Sequence, residues 1–174
     1  MVWPPPSLRQ RALDLRNTRQ ALVDLPGSTT GFTEQCLARY LVIRAAGYIE
    51  AVRDDAADQH TSVKASSEVT RRVRSNLRTG QGVAPSQLLE FMKSFHPDWH
   101  GELEEFLNAN DYELKNKLGA LVAARKKIAH GDGESVTTTR AIAWSEAAET
   151  IGKWLIRRFD PQLTTSSRIP GVQV

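Results

Sequence analysis

The sequence has very little cysteine and no long hydrophobic segment, and each absence excludes a class of protein. The single cysteine, Cys36, rules out a disulfide framework or a cysteine-based zinc site within one chain, and it favours a reducing compartment. No apolar run approaches the roughly 18 residues that a membrane-spanning helix requires. The opening segment, MVWPPPSLRQ, lacks the apolar region of a signal peptide. Together these features predict a cytoplasmic protein that does not enter a membrane.

A strong excess of charge of one sign is absent as well. The chain carries 23 lysines and arginines against 20 acidic residues, and its net charge of +3 is only a weak signal for a polyanionic partner. A hydrophobic content of 40% is ordinary for a globular protein, and 174 residues are enough for one domain with a substantial core. The composition therefore favours a single folded domain over a disordered chain.

Apolar residues recur at helical spacing, and the alternating pattern of strands is almost absent. A first helix is predicted from about Leu8 to Leu25, with Ser7 as its N-cap. A second helix, about Phe32 to Asp58, is too apolar in its middle to lie on the surface, so it is predicted to be the central helix of a bundle, with Cys36 buried in it. The candidate core positions of these two helices are Leu13, Leu15, Leu22, Leu37, Tyr40, Leu41, Ile43, Ala45, Tyr48, Ile49 and Val52.

The rest of the chain continues as helices separated by short breaks. A polar helix is followed by two short helices that begin at prolines, then by a long helix, a Gly-Asp-Gly turn and a final helix. These predicted helices cover approximately residues 62–77, 85–95, 97–107, 112–129 and 140–159. The expected fold is an all-α antiparallel helical bundle of about six to seven helices. It is expected to form one domain over residues 1–174, with its core at about 8–159 and a loose C-terminal tail at 160–174.

The most informative segment is LVAARKKIAHGDG, from Leu121 to Gly133, at the end of the long helix. It contains the candidate catalytic residues, Arg125 and His130. A guanidinium can hold a phosphate and an imidazole can move a proton near neutral pH, so this pair is suited to cleaving RNA without a metal. The alternative interpretation is that His130 only caps helix carbonyls and that Arg125 is an ordinary surface residue.

Helix geometry separates these two side chains. Five residues correspond to about 500°, so Arg125 and His130 point about 140° apart in a continuous helix. They converge only if the helix unwinds near His130. Gly131 and Gly133 permit such unwinding, because glycine accepts a positive φ. The segment therefore predicts a helix end at this point.

Three further charged residues are candidates for binding the substrate or orienting the arginine. Lys126 and Lys127 extend the positive helix end and are candidates for contacting RNA phosphates, with plain solvated lysines as the alternative. Glu50 is a candidate partner that pairs with Arg125 across the bundle and aims it, or else an ordinary surface glutamate.

Other patterns are interpreted as structural. His96 and His100 are not predicted to bind a metal, because Pro97 falls between them and starts a new helix. Arg53 and His60 are assigned to a solvated helix face, since several aspartates surround the arginine. The same interpretation is favoured over RNA contact for the basic cluster of the third helix, Arg71, Arg72, Arg74 and Arg78.

The block from Glu113 to Phe159, ELKNKLGALVAARKKIAHGDGESVTTTRAIAWSEAAETIGKWLIRRF, resembles the HEPN superfamily, in which a helix ending in R-x4–6-H-G precedes a loop and a long terminal helix. Arg125, His130 and Gly131 match this motif. Upstream, LARYLVIRAAGYIEAVRDD is similar to the long apolar second helix of the superfamily, with Glu50 in its lower half. Within the superfamily the chain is most similar to the RiboL-PSP-HEPN family, over about Leu8 to Phe159.

This resemblance implies an activity and a set of partners. It implies a metal-independent endoribonuclease without a cofactor, of the kind found in toxin–antitoxin, phage-defence or RNA-processing settings. The implied partners are RNA, a second copy whose motif faces the first across a cleft, and a cognate antitoxin protein. By analogy, His130 acts as general base or acid at the ribose 2′-hydroxyl and the leaving oxygen, and Arg125 holds the scissile phosphate. The implied products are a 2′,3′-cyclic phosphate and a 5′-hydroxyl.

One position departs from the family's pattern. The family often places asparagine or another small polar residue directly after the arginine, where this chain has Lys126. A lysine still contacts phosphate, but an orienting amide is lost. The second hypothesis is therefore a non-catalytic helical module that keeps the scaffold and binds RNA, a nucleotide or a protein partner.

Overall fold

The structure is a computed structural model that describes residues 3–25, 30–77, 82–131 and 135–163. Within these residues every regular element is a helix, which confirms the predicted all-α bundle. The helices are α1 (Pro6–Val23), α2 (Gly31–Lys64), α3 (Ser67–Leu77), α4 (Pro85–Phe95), α5 (Pro97–Ala129) and α6 (Thr138–Arg158). Arg78, the turn at residues 132–134 and residues 164–174 of the expected tail lie outside the described residues.

The helices begin where the sequence offers the right first residues. Pro6, Pro85 and Pro97 start α1, α4 and α5, positions where the missing backbone N–H carries no cost. The Thr137 hydroxyl accepts a hydrogen bond from the backbone N–H of Arg140 at 3.3 Å, and so caps the N-terminus of α6. The start of each of these helices is thus set by local chemistry.

The long second helix is central, as its apolar middle predicts. It packs against α1, α3, α5 and α6, and its buried side chains run from Ala38 to Thr61. It lies parallel to α6, since Gln35 contacts Ser135 near one end and His60 contacts the Phe159 carbonyl near the other. The core cluster draws on α1, α2, α4, α5 and α6.

The predicted break near residue 110 is present inside α5. The backbone leaves helical geometry at Ala109, and Asn110, Asp111 and Tyr112 have φ values of 52°, 55° and 64°. These three residues are in the left-handed region, which asparagine and aspartate tolerate better than most residues. The segment therefore separates a first half of α5, which packs on α4 and α6, from the second half that ends at Ala129 with His130 as its C-cap.

Several residues that the sequence predicts to lie in the core are exposed instead, so these predictions are wrong. Leu13, Tyr40 and Ile43 are 46%, 49% and 42% exposed, and Cys36 is exposed as well. The apolar face of α2 is wider than the neighbouring helices cover, so its N-terminal half keeps an apolar strip at the surface. No helix in the described part of the chain is both long and apolar enough to cross a membrane.

Candidate functional site

The backbone places His130 at the C-terminus of α5. Its N–H donates to the carbonyls of Lys126 and Lys127 at 3.1 and 3.2 Å, and its φ of −88° and ψ of 0° end the regular helix. Gly131 follows with a φ of +78°, a conformation that favours glycine. The imidazole is exposed, and within the described ranges no hydrogen bond or ion pair engages it. The predicted end of this helix at Ala129 is confirmed.

Arg125 is held by an acidic residue from another helix. Its Nη2 atom lies 3.9 Å from Oε2 of Glu50, and the two side chains are 46% and 33% exposed. The pairing between α5 and α2 that the sequence suggested is therefore present. An exposed pair at this distance contributes little stability, so its main effect is to limit where the guanidinium can point.

The structure does not bring Arg125 and His130 together within one chain. His130 still makes the helical hydrogen bond to Lys126, so its Cα atom keeps the helical position and the chain turns away only at Gly131. The two side chains therefore remain about 140° apart around the helix axis. The helix does unwind at its glycine, as predicted, but it does so after His130. The unwinding therefore does not bring the His130 side chain toward Arg125.

The two lysines share a face with the histidine. Lys126 and Lys127 are exposed and precede His130 by four and three residues, which are the spacings of neighbours on a helix surface. The helix C-terminus therefore presents His130 beside two ammonium groups, with Arg125 and Glu50 on the adjoining side. The sequence prediction placed Lys126 and Lys127 beside Arg125 and did not place them on the face of His130. The helical period alone, with spacings of four and three residues, is enough to predict that shared face.

The first histidine of the pair at the start of α5, His96, has a structural role. His96 is the N-cap of that helix, and its Nδ1 accepts a hydrogen bond from the Asp98 backbone N–H at 3.3 Å. Among the described residues no group of three or more acidic, cysteine or histidine side chains is arranged to hold a metal.

The interpretation of Arg53 and His60 as a solvated face is wrong. Arg53 is only 2% exposed, and it donates to the Gly82 carbonyl at 2.9 Å while its guanidinium lies over the Phe91 ring. His60 is half-buried against two aromatic rings, and burial is the main reason why its pKa is lowered. Arg53 therefore connects α2 to α4, and His60 connects α2 to the start of α5 and to the end of α6.

The basic cluster of α3 is divided. Arg71 and Arg72 are exposed, whereas Arg74 donates to Asp58 and Ser62 of α2. The hydrogen bonds to Asp58 raise the pKa of Arg74. Arg74 therefore fastens α3 to α2 from an exposed position, whereas Arg71 and Arg72 form no ion pair with any of the described residues.

Apolar side chains form an exposed stripe on α2 that leads to Glu50. We name Phe32, Cys36, Tyr40 and Ile43 the α2 stripe; all four are exposed, Phe32 by 77%. Their spacings of four, four and three residues place them on one face of the helix, and Glu50 follows Ile43 by two turns on that face. The stripe therefore ends beside the ion pair of Arg125.

Comparison of the chain with models of protein families, with curated proteins and with solved structures finds no match in any of the three.

Proposed function

We propose that this chain is a metal-independent endoribonuclease of HEPN type that acts as a homodimer. The observation that carries the proposal is the exposed His130 at a helix C-terminus, beside Lys126 and Lys127 and next to the Arg125–Glu50 pair. An accessible imidazole among cations is suited to moving protons on a polyanionic substrate. The HEPN-like motif supports the same assignment.

Each residue has a role in the proposed reaction. The ribose 2′-oxygen attacks phosphorus, and the bond from phosphorus to the 5′-oxygen breaks. The imidazole of His130 takes the proton of the 2′-hydroxyl and, once protonated, gives a proton to the leaving 5′-oxygen, which leaves a 2′,3′-cyclic phosphate and a 5′-hydroxyl. Arg125 stabilises charge on the phosphate, Glu50 aims that guanidinium, and Lys126 and Lys127 bind flanking phosphates.

The proposed enzyme needs a second copy of the chain, because a single chain leaves the site incomplete. Arg125 and His130 diverge around the helix, so a phosphate held by one arginine needs an imidazole from elsewhere. The α2 stripe supplies an apolar surface that ends at Glu50. Two copies packed through this stripe about a two-fold axis bring both Arg125 residues toward one cleft.

Cleavage of purified cellular RNA in EDTA tests the activity. We expect fragments with 2′,3′-cyclic phosphate and 5′-hydroxyl ends, which end-labelling and phosphatase sensitivity distinguish from other ends. A 2′-O-methyl oligonucleotide of the same sequence as a cleaved segment is the matched control, and it should stay intact because it lacks the nucleophile. Intact RNA, 5′-phosphate ends or a requirement for magnesium would contradict the proposal, and intact RNA would favour the non-catalytic module.

Replacing Ile43 with glutamate is expected to shift the protein from dimer to monomer. Two symmetry-related carboxylates would be buried together at the end of the α2 stripe nearest Glu50, where each ion loses its hydration. Sedimentation velocity measures the change, and cleavage is expected to fall with the dimer population. Val63→Glu is the control, because Val63 is 54% exposed on the same helix but lies beyond the stripe. A dimer that survives Ile43→Glu would remove this surface from the proposal.

A further inference from the structure

An apolar groove of about 490 Å³ lies between α3 and α4, with the C-terminal end of α2 as its floor. Among the described helices, the backbone of α3 approaches only that of α2. Arg74 of α3 holds it there through Asp58 and Ser62. The α3 and α4 walls of the groove therefore stand apart, and the space between them is open to solvent.

The α3 wall is an apolar face that the rest of the described bundle leaves partly uncovered. Val69, Val73 and Leu77 follow one another at spacings of four residues, so they lie on one face of α3, and all three line the groove. Val69 is 50% exposed, and the other two are only partly buried. The opposite wall carries the rings of Phe91 and Phe95 from α4. Two facing apolar walls gain stability when an apolar segment replaces the water between them.

The groove carries little charge. Lys64 and His60 are the only ionisable side chains among the described residues that line it. Burial is the main reason why the pKa of His60 is lowered, so this imidazole is uncharged near pH 7. A segment that fits the groove is therefore expected to be apolar and to carry little charge itself.

The chain comes to this groove at the end of α6. Phe159, the C-cap of α6, is buried, and its ring centre lies 6.2 Å from that of Phe91 and 5.0 Å from that of Phe95. The Nδ1–H of His60 donates to the Phe159 carbonyl at 3.0 Å. Three groove residues thus contact Phe159. Leu163, where the last described range stops, follows Phe159 by four residues, which is at most about 14 Å along the chain.

Residues 164–174 come next, and their sequence suits the groove. They begin with four polar residues and continue as RIPGVQV, which carries the apolar side chains of Ile169, Val172 and Val174 and one side-chain charge, on Arg168. Eleven extended residues reach about 36–40 Å, whereas the 11 residues of α3 form a helix about 16 Å long. The segment is therefore long enough to lay its apolar part along the whole groove.

We propose that residues 164–174 dock in the groove between α3 and α4, with Ile169 and Val172 against the apolar face of α3. A second groove, between α1 and α6, also lies near the end of α6, but four arginine and lysine side chains line it. A segment that carries Arg168 and no carboxylate side chain does not complement those cations. Docking between α3 and α4 covers the apolar face of α3 and joins that helix to α4. The proposal does not depend on RNA cleavage.

Disulfide trapping tests the position of the segment in the full chain with Cys36 replaced by serine. Val69→Cys/Ile169→Cys is expected to form an intramolecular disulfide at least about tenfold faster than Val63→Cys/Ile169→Cys in the same glutathione buffer. The reason is that a docked segment holds the first pair of sulfur atoms near bonding distance. Val63 is the matched control, because it is 54% exposed against 50% for Val69 and directly precedes Lys64 without lining the groove itself.

Alkylation of the remaining thiols, followed by non-reducing electrophoresis, separates the outcomes. A cross-linked monomer that forms fastest for the Val69 pair supports the proposal. Equal rates for the Val69 and Val63 pairs would overturn it, and so would a faster reaction of Leu13→Cys/Ile169→Cys, which places the segment in the α1–α6 groove. A cross-linked dimer would overturn it as well, because the groove would then hold the segment of a second copy.

A double-mutant cycle gives a second readout that mere proximity does not produce. Val69→Thr/Val73→Thr and Ile169→Thr/Val172→Thr are each expected to lower Tm by about 4–8 °C, because apolar contacts are lost while the side chains stay β-branched. Combining the two pairs is expected to cause little further loss, since both remove the same contacts. Val63→Thr is the control, and its effect is expected to add to that of the segment pair. Additive losses from the groove pair and the segment pair would show that they do not touch and would overturn the proposal.

Discussion

Replacing His130 with alanine is expected to reduce RNA cleavage by about 10²–10⁴-fold, the usual contribution of a general acid or base. The same change is expected to leave the free energy of unfolding within about 0.5 kcal/mol of the wild type, as for other exposed positions. The reason is that the imidazole is exposed and makes no hydrogen bond or ion pair within the described ranges. Initial rates on a defined RNA in EDTA, with urea unfolding of both proteins, measure the two quantities.

A second histidine provides the control for this loss. His100→Ala removes an imidazole from the first half of α5, away from the helix C-terminus, and is expected to cleave like the wild type. If His130→Ala retains most of the rate, or if both variants lose it equally, His130 is not the proton-transfer residue. A loss of rate accompanied by unfolding would instead assign His130 a structural role.

A mixture of two inactive variants tests whether the arginine and the histidine of one site come from different chains. Arg125→Ala and His130→Ala are each expected to be inactive alone, whereas a mixed dimer contains one intact pair when the arginine and the histidine of a site come from different chains. Random reassociation is expected to restore about a quarter of the wild-type rate, since half of the dimers are mixed and each has one of two sites. If the two variants are shown to exchange subunits and the cleavage rate is still not restored, then each site uses the arginine and the histidine of one chain.

The helices could be predicted because their signals are local. Proline at the first turn, a threonine cap and apolar residues at helical spacing act within a few positions of each other, and the break before Tyr112 is marked by two residues that tolerate positive φ. The exposure of Tyr40 and Ile43 could not be predicted in this way. Both fit the helical period, and they lie at the surface because none of the described helices covers that face of α2.

The candidate site shows the same division between local and tertiary information. The end of α5 just before Gly131 can be predicted from the glycine itself. The pair of Glu50 and Arg125 can be proposed from their opposite charges, but the sequence equally allows Glu50 to be an ordinary surface residue. The sequence gives no prediction of the groove that lies between α1 and α6, with Tyr48 of α2 in its lining. Its parts, such as Arg9, Tyr48 and Lys153, come from three helices and share no spacing in the sequence. Only the packing of those helices brings them together.

Arg53→Ala is expected to lower the free energy of unfolding by about 2–4 kcal/mol, because a buried side chain leaves a cavity and a carbonyl loses a charged hydrogen bond. Arg53 is 2% exposed, its Nε donates to Asp54 at 2.7 Å, its Nη1 donates to the Gly82 carbonyl at 2.9 Å, and its guanidinium lies 5.1 Å from the centre of the Phe91 ring. Alanine leaves a cavity, and it takes away the hydrogen bond that a carbonyl just before α4 receives. Urea unfolding measures the change, with the denaturant slope expected to stay constant.

Two further variants separate burial from charge as the origin of that loss. Arg72→Ala removes the same charge from an exposed position and is expected to change stability by less than about 0.5 kcal/mol. Arg53→Lys keeps the charge and the apolar stem, but a single ammonium cannot reproduce the planar fork that reaches Asp54 and Gly82 together, so an intermediate loss is expected. If Arg53→Ala were as mild as Arg72→Ala, the guanidinium would not be what joins α2 to the start of α4. If Arg53→Lys were fully stable, charge would matter at this position and the fork would not.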